Sequence, residues 1–307
     1  MESVQNRSMN DKQLKLSRFT FTWGSRTYLM GILNLTPDSF SGDGLLAGRQ
    51  AQAEEQTVNL AMQQARLFAA AGADILDVGG ESTRPGAQPV SLEQELERVV
   101  PVIRAIRGEL DIPISVDTYK AEVAEAALEA GADMVNDVWG LHADPELAGV
   151  AARREAPVIL MHNRSSWVHA EIKDRLGGRY IGMQYQNLLE DIRFELLESV
   201  DLAHAAGIPD EHIILDPGIG FGKTVEQNLE LIDRLAEIRS LGYPVLLGAS
   251  RKSFIGYTLD LPPDQRLEGT AAAVAIGVDR GADIVRVHDV KQLVRVARMA
   301  DAIVRRG

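Results

Sequence analysis

The sequence predicts an α/β fold, a (β/α)8 TIM barrel preceded by a short N-terminal β-hairpin arm. Two observations lead to it. Short β-branched runs alternate with alanine-rich helical stretches, and the runs begin in turn with Gly-Ala-Asp or with a proline. Eight such strand–helix units in about 250 residues is the usual size of this barrel. A doubly wound open sheet is the alternative, but eight near-regular units favour closure.

The strands can be placed in order along the chain. The first is Tyr28 to Asn34. Gly-Ala-Asp opens three others, at Gly72, Gly131 and Gly281, and Ala206-Gly-Ile-Pro is a related fourth. Such glycines suit the left-handed end of a helix, and the apolar run that follows each reads as a buried parallel strand. The remaining three begin at Pro113, Pro157 and Pro244, since proline is tolerated at the first position of a strand.

The chain before the first barrel strand is expected to contribute little to the barrel. Phe19 to Arg26 reads as the small hairpin arm, and we expect residues 1–17 to form a disordered tail. No linker divides the remainder, so 18–307 is predicted to be a single domain.

Composition excludes several classes of protein. The 307 residues carry a net charge of −12, which argues against a nucleic-acid surface. There is no cysteine, so disulfides, thiolate nucleophiles and cysteine-ligated zinc are excluded. No secretory signal or membrane span is visible, and we expect a cytoplasmic protein that binds neither nucleic acid nor membrane.

Polar side chains follow almost every predicted strand, at the end of the barrel where catalysis takes place in this fold. Near the middle of the strand order, Asp117, Asn136 and Asp216 offer acceptors and one amide donor, which suit the edge of a flat heterocycle rich in N–H groups. A positive group is formed by Arg84, Lys252, Arg286 and His288. Asn34 could orient a phosphate directly or through Mg²⁺. These groups predict a site for a heterocycle and a phosphate.

Other polar residues have simpler explanations. Asp77 lies inside a strand and reads as a buried structural carboxylate, and Arg251 should point away from its neighbour Lys252. Glu81 and Asp137 are as suited to holding loops as to touching a ligand.

The segment 216–224, Asp-Pro-Gly-Ile-Gly-Phe-Gly-Lys-Thr, resembles a nucleotide-binding P-loop but has Pro217 where that loop needs its first glycine. It is better explained as strand six and its following loop, with Asp216 functional and Lys223 solvated at the start of a helix.

Seven motifs in order make the chain resemble dihydropteroate synthases over about residues 28 to 300. They are Met30-Gly-Ile-Leu-Asn-Leu-Thr-Pro-Asp-Ser-Phe40, Gly79-Gly-Glu-Ser-Thr-Arg-Pro-Gly86, Ser115-Val-Asp-Thr118, Asn136-Asp137, Leu215-Asp-Pro-Gly218, Gly248-Ala-Ser-Arg-Lys-Ser253 and Arg286-Val-His-Asp289. The resemblance implies condensation of 6-hydroxymethyl-7,8-dihydropterin diphosphate with 4-aminobenzoate, giving 7,8-dihydropteroate and pyrophosphate through a pterin-stabilised carbocation. It also implies a transferase of folate biosynthesis that needs Mg²⁺, is a sulfonamide target and forms a homodimer.

The resemblance also implies roles for individual residues. The pterin would be bound by Asp117, Asn136, Asp216, Lys252 and Arg286, of which Asp117, Lys252 and Arg286 would be catalytic. The diphosphate would be bound by Asn34, Thr83, Arg84, Arg286 and His288, with Asn34 also helping to hold the metal. The aminobenzoate would be bound by Phe40, Pro85, Phe221 and Ser253.

One segment departs from the family. After His162 the family has a short Met-x-Gly-x-Pro-type stretch, whereas residues 163–178 here are longer and lack it. This puts a contribution of Met161 and His162 to the pterin pocket in doubt. Two other functions stay open as alternatives: a methyltetrahydrofolate-dependent methyltransferase on the same barrel, and a non-catalytic pterin-binding paralogue.

Overall fold

A computed structural model describes residues 12–16, 18–35, 50–82, 89–166, 169–173, 175–181 and 184–306. Its strands are β1 (Gln13–Leu16), β2 (Phe19–Thr22), β3 (Tyr28–Asn34), β4 (Ile75–Gly79), β5 (Ile114–Asp117), β6 (Met134–Asp137), β7 (Val158–Met161), β8 (Ala170–Lys173), β9 (Gly177–Tyr180), β10 (Ile213–Asp216), β11 (Leu246–Leu247) and β12 (Ile284–Val287).

The helices lie mostly between the barrel strands. They are α1 (Gln50–Ala71), α2 (Leu92–Glu109), α3 (Ala121–Ala130), α4 (Leu147–Arg153), α5 (Leu188–Ala205), α6 (Val225–Asp233), α7 (Leu235–Arg239), α8 (Ser253–Leu259), α9 (Leu267–Asp279) and α10 (Val290–Val304). In the ranges given above, no helix is long and apolar enough to cross a membrane.

The predicted barrel is confirmed. Within the described residues, eight parallel strands pair in the order β10, β7, β6, β5, β4, β3, β12, β11. A parallel bridge between Leu215 and Val245 joins the two ends of that order, so the sheet closes on itself. The first and last barrel strands, β3 and β12, are neighbours paired from Tyr28–Ile284 to Gly31–Val287.

The Gly-Ala-Asp repeat has a structural explanation. Gly72, Gly131 and Gly281 have φ angles of 97°, 116° and 97°, the left-handed conformation that ends a helix. The aspartate that follows accepts a hydrogen bond from the first part of a neighbouring strand. Asp74 bonds the Leu29 amide, and the other two aspartates of the repeat do the same for β5 and for the segment before β11. The repeat therefore both ends a helix and fixes the strand register at the end of the barrel where the strands begin.

The inside of the barrel changes character along its axis. Near the amino ends of the strands it is apolar, and β1–β2 covers this end. The residues in this cluster include Leu14, Phe21, Trp23, Tyr28, Met30, Ile75, Met134, Ile159, Ile214, Leu246 and Ile284. Two residues further along β4, β6, β10 and β12, the same face carries the polar groups Asp77, Asn136, Asp216 and Arg286. A larger apolar layer packs the helices onto the outside of the sheet.

The predicted hairpin arm is present, but its bounds are corrected. Gln13–Leu16 pairs with Phe19–Thr22, so the first strand lies inside the segment 1–17 that was expected to be a tail. Residues 23–26 form the turn into the barrel. The polar composition of the segment concealed this strand, because only Leu14 and Leu16 face the apolar cluster.

Candidate functional site

The carboxyl ends of β12, β4 and β5 bring one arginine and two carboxylates together. Arg286 donates from Nε to Asp77 Oδ2 over 2.6 Å and from Nη2 to Asp117 Oδ2 over 2.5 Å. Asn136, at the end of β6, donates to Asp77 Oδ2 over 3.1 Å. Asp77 is fully buried. The structure therefore brings together three predicted residues, and it adds Asp77, which the sequence analysis left out as structural.

The charges in this cluster do not balance. Burial raises the pKa of Asp117 to about 7; Arg286 opposes the rise, and the neighbouring carboxylates Asp77 and Glu95 add to it. The two carboxylates in turn raise the pKa of Arg286 above its ordinary value, although burial opposes them. A single permanently charged group, Arg286, therefore pairs with two carboxyl groups. Asp117 can hold a proton near neutral pH.

We expect Asp117 to make stability depend on pH. Its folded pKa of about 7 lies above the ordinary 3.8, so its stabilising contribution is complete below about pH 4 and is lost as the pH rises through about 7. Urea unfolding across that range should show this fall in the wild type and a smaller one in Asp117→Asn. Because Asp137 also has a raised pKa, of about 6, the difference between the two proteins is the quantity to measure. Identical pH dependence in both would contradict the assignment.

A second pair of charged groups, Asp216 and Lys252, lies at the same end of the barrel. The Asp216 side chain, at the end of β10, accepts a hydrogen bond from the Gly218 amide over 2.7 Å. Lys252, just before α8, donates from Nζ to the carbonyl of Ile219, and Nζ lies 4.4 Å from the centre of the Phe221 ring. Burial lowers the pKa of Lys252 to about 8, against the attraction of Asp216. Burial also raises the pKa of Asp216, and here Lys252 opposes it.

Gly248 lies beside both charged groups of this pair. A Cβ atom built there would lie 3.7 Å from Asp216 Oδ2 and 3.9 Å from both Lys252 Nζ and Leu246 Cδ2. An acceptor and a donor are presented side by side, as the edge of a heterocycle requires.

His288 is held at the end of β12. Ser250 Oγ lies 3.1 Å from both the backbone nitrogen and Nδ1 of His288, and Ser250 itself is buried. Asn34 ends β3 opposite Gly79 of β4, on the same rim. Ser253 is the first residue of α8. These positions agree with a phosphate side formed after the first, seventh and eighth barrel strands, and Ser250 is a supporting residue that sequence reasoning did not single out.

The prediction for Lys223 is wrong. Its side chain is 1% exposed, and its Nζ contacts His162 Nδ1 at 2.9 Å and the carbonyls of Gly218 and Phe221 at 2.9 and 3.0 Å. The helix does begin where expected, with Thr224 as the capping residue of α6. The side chain before the cap, however, turns inward because the loop 217–222 folds back beneath it. Nothing in the spacing of the letters indicates that direction.

The prediction for Arg251 is confirmed, and for Asp137 and Glu81, whose roles the sequence left open, the structure shows contacts that hold loops. Arg251 points away from Lys252 and pairs with Asp289, with Nε 2.8 Å from Oδ2. Asp137 holds a loop, since its carboxylate accepts hydrogen bonds from the amides of Trp139 and Leu141 at 2.8 and 2.6 Å. Glu81 likewise accepts from Lys120 over 2.7 Å.

Four predicted site residues, Phe40, Thr83, Arg84 and Pro85, lie outside the described residues. The chain on either side of residues 83–88 is held by one ammonium group. Lys120 Nζ donates to Glu81 before the gap, to the carbonyl of Val90 after it, and to the buried Glu95 of α2, at 2.7, 2.7 and 2.6 Å. Lys120, which follows β5, therefore holds Glu81 and Val90 near each other.

The departing segment after β7 folds as a small hairpin. β8 and β9 pair from Ala170–Tyr180 to Lys173–Gly177. The hairpin lies against α8 and the start of α9. Tyr257 of α8 donates to the Gly177 carbonyl over 3.2 Å, and Arg266, just before α9, donates to the Leu176 carbonyl over 2.8 Å. It supports the helix that begins at Ser253. Both ring nitrogens of His162 already have partners: Nδ1 contacts Lys223 and Nε2 contacts Glu195.

The comparisons with known proteins agree with this geometry. The family described as "Pterin binding enzyme" matches residues 30–288. The dihydropteroate synthase of Clostridium beijerinckii is 50% identical over 95% of this chain and 100% of its own.

Two solved structures are similar across nearly the whole chain. A dihydropteroate synthase from Clostridium difficile, determined in the presence of pteroic acid, has a TM-score of 0.82 at 48% identity and covers 93% of this chain and 100% of its own. The Yersinia pestis dihydropteroate synthase in a sulfonamide drug complex has a TM-score of 0.83 at 38% identity, covering 95% and 98%. The chain therefore belongs to the pterin-binding enzyme family and, within it, to the dihydropteroate synthases.

Proposed function

We propose that the two charged groups at the upper rim bind the pterin and stabilise its cation. The observation that carries this is the placement of Asp117, Asn136, Asp216, Lys252 and Arg286 around one opening of the barrel. In the condensation, the bond between the pterin methylene carbon and the diphosphate oxygen breaks, and the aniline nitrogen of 4-aminobenzoate attacks the resulting carbocation. The proton leaves the nitrogen after the new C–N bond forms.

Each group has a part in binding the heterocycle. Asp216 accepts from the N–H edge of the pterin while Lys252 donates to its ring acceptor. Asn136 and Asp117 bind the other edge, and Asp117 is suited to this because a pKa of about 7 lets it present either an acceptor or a proton. Arg286 is held in one plane by Asp77 and Asp117, so its guanidinium face is available for stacking on the ring.

The mechanism needs no covalent intermediate with the protein. The chain has no cysteine, so a thiolate nucleophile is excluded. Catalysis then consists of holding the reacting atoms in line and of fixed charges that stabilise the leaving diphosphate and the cation. Arg286 and His288 face the leaving group from the eighth barrel strand, and Asn34 faces it from the first. Phe221 and Ser253 border the aminobenzoate, with Phe40, Thr83, Arg84 and Pro85 completing the two pockets.

Magnesium is part of the proposal. In the stretches that the structure covers, no group of three histidine, aspartate or glutamate side chains could hold a metal ion. Mg²⁺ commonly keeps several waters and is bound by one or two protein oxygens together with substrate phosphates. The residues present fit an ion that the diphosphate brings with it and that Asn34 helps to hold. When bound, Mg²⁺ would neutralise charge on the leaving group.

A homodimer in the cytoplasm completes the proposal. The helices α9 and α10 pack against each other, and Ile276, Met299 and Ile303 on them are 47%, 63% and 51% exposed. A second copy of the chain is the partner that this apolar face suits. Neither nucleic acid nor membrane has a place in this proposal, given the net charge of −12.

Pyrophosphate release tests the proposed function. We expect the protein, given the pterin diphosphate, Mg²⁺ and 4-aminobenzoate, to release pyrophosphate in step with formation of dihydropteroate, and to release much less when aminobenzoate is left out. The control is Arg251→Met, which removes a cation from the same segment without touching the proposed pocket. Release that does not depend on aminobenzoate, or none at all, would refute the proposal.

A further inference from the structure

The loop between β10 and α6, residues 217–222, is built around a buried lysine that the mechanism does not use. We propose that Lys223 is a positioning residue for the second substrate: it ties this loop to the end of β7 and so holds Phe221 against Lys252. The proposal rests on the proposed function in one respect, the place of Phe221 in the aminobenzoate pocket.

The loop has a shape that needs an internal support. Gly218, Gly220 and Gly222 have φ angles of 71°, 81° and 61°, all in the left-handed region. Every second residue of the loop therefore has a left-handed conformation, which only glycine adopts easily. The carbonyls of Gly218 and Phe221 point toward the inside of the loop. Lys223 Nζ binds both of them, at 2.9 and 3.0 Å.

The loop is also pressed against the chain that follows β7. A Cβ atom at Gly218 would lie 1.8 Å from the carbonyl oxygen of His162, and one at Gly222 would lie 2.3 Å from the carbonyl carbon of Arg164. Only glycine fits at either place. Lys223 makes the matching polar contact, because its Nζ lies 2.9 Å from His162 Nδ1.

Burial lowers the pKa of Lys223 well below its ordinary value, and the Asp216 carboxylate opposes that fall. With Lys223 charged, the protons in this network have one consistent arrangement. Three acceptors surround Lys223 Nζ, which matches the three hydrogens of an ammonium group. His162 must then offer a lone pair at Nδ1 and carry its proton at Nε2, which lies 3.0 Å from Glu195 Oε2. Burial and the Lys223 charge lower the pKa of His162 to about 4, in keeping with a neutral ring. Arg164, paired with Glu195, completes the chain of contacts to α5.

The other side of the loop faces the proposed substrates. The Lys252 ammonium donates to the Ile219 carbonyl and lies over the Phe221 ring, and a Cβ atom at Gly220 would come within 2.9 Å of Lys252 Cδ. A shift of the loop therefore moves Phe221 directly. Three of the five proposed pterin contacts, at Asp117, Asn136 and Arg286, come from other strands. Asp216 and Lys252 do touch the loop, through the Gly218 amide and the Ile219 carbonyl, so a loop shift should affect the pterin less than the aminobenzoate but not leave it wholly untouched.

The test separates the two substrates. Lys223→Met keeps the length of the side chain but removes all three donors. We expect it to raise the KM for 4-aminobenzoate about tenfold or more, since one net hydrogen bond to a charged group corresponds to at least that factor. The dissociation constant of the pterin diphosphate, measured by calorimetry without aminobenzoate, should change less than about threefold. Lys15→Met, the same change at an exposed lysine on β1, is the matched control.

A second variant guards against misfolding. Tyr185→Phe removes the hydroxyl that donates to the Gly222 carbonyl over 2.9 Å, and the half-buried ring remains. We expect a smaller rise in the aminobenzoate KM, about two- to fivefold, with pterin binding unchanged. If Lys223→Met does not fold, an unchanged KM in Tyr185→Phe overturns the inference. If Lys223→Met does fold, equal effects on both substrates, or none, overturn it.

Phe221→Ala distinguishes this inference from the proposed function. A raised aminobenzoate KM in Phe221→Ala together with a normal KM in Lys223→Met would contradict only the positioning role of Lys223. A normal KM in Phe221→Ala would instead remove Phe221 from the second pocket, and the proposed site would need revision first.

Discussion

Replacing Arg286 with methionine is expected to abolish measurable turnover and to destabilise the fold by about 3–5 kcal/mol. Its guanidinium is the direct partner of Asp77 and Asp117, and Asp77 is fully buried. Methionine fills part of the volume but leaves two neighbouring carboxylates without a cation. Removing one partner of a buried ion pair costs far more than the pair contributes when intact. The pterin would also lose the surface on which it stacks.

The dependence of this loss of stability on pH is a more specific test than the size of the loss at one pH. A protonated carboxyl group needs no counter-charge, so the destabilisation should shrink as the pH falls toward about 4. Urea unfolding of wild type and Arg286→Met at several pH values measures it. The matched control is Arg251→Met, because the Arg251–Asp289 pair is partly exposed and should cost about 0–1 kcal/mol. Equal losses in the two variants would contradict the buried cluster described here.

Replacing Asp216 with asparagine is expected to lower kcat/KM for the pterin substrate by about tenfold to a hundredfold. Asp216 already accepts the Gly218 amide, and its other oxygen faces the space beside Gly248. An amide must turn its NH2 group either toward the Gly218 N–H or toward the N–H edge of the pterin that we propose binds there. A mismatched buried pair costs about 1–3 kcal/mol, and more for a charged group. The change also removes the carboxylate that supports the charge on Lys252.

The comparison should be kinetic and should include a neutral control. Asp233→Asn removes an exposed carboxylate that pairs with Arg280, and it should leave kcat/KM unchanged. Thermal unfolding would show whether Asp216→Asn still folds. Wild-type kinetics for the pterin substrate in a folded Asp216→Asn would return this residue to the role of a turn residue, held only by the Gly218 amide.

The sequence was sufficient for the barrel and for most of its upper rim. Gly72, Gly131 and Gly281 mark helix ends whatever surrounds them, because their left-handed conformation is a local property. Asp117 and Asp216 could be predicted for a related reason. Each ends a parallel strand, and in a closed barrel all strand ends meet at one rim.

What could not be predicted depends on contacts between distant segments. Lys223 appears solvated because it precedes a helix cap, and its burial follows only from a loop that folds against residues 162–164. Asp77 gave a weak signal, an acidic residue within an apolar strand, but its partner Arg286 lies 209 residues away. The hairpin strand Gln13–Leu16 was missed since its apolar partners, such as Trp23 and Tyr28, belong to the barrel floor.

The position of Arg286 on the last barrel strand has a consequence for how the protein is made. Asp77 and Asp117 leave the ribosome long before it, because their contacts with Arg286 span 209 and 169 residues. Until β12 enters the sheet beside β3, these two acids have no cation and the barrel has an open edge. The same strand, β12, therefore supplies both a member of the closed sheet and the cation of the carboxylate cluster. A chain cut before β12 lacks both.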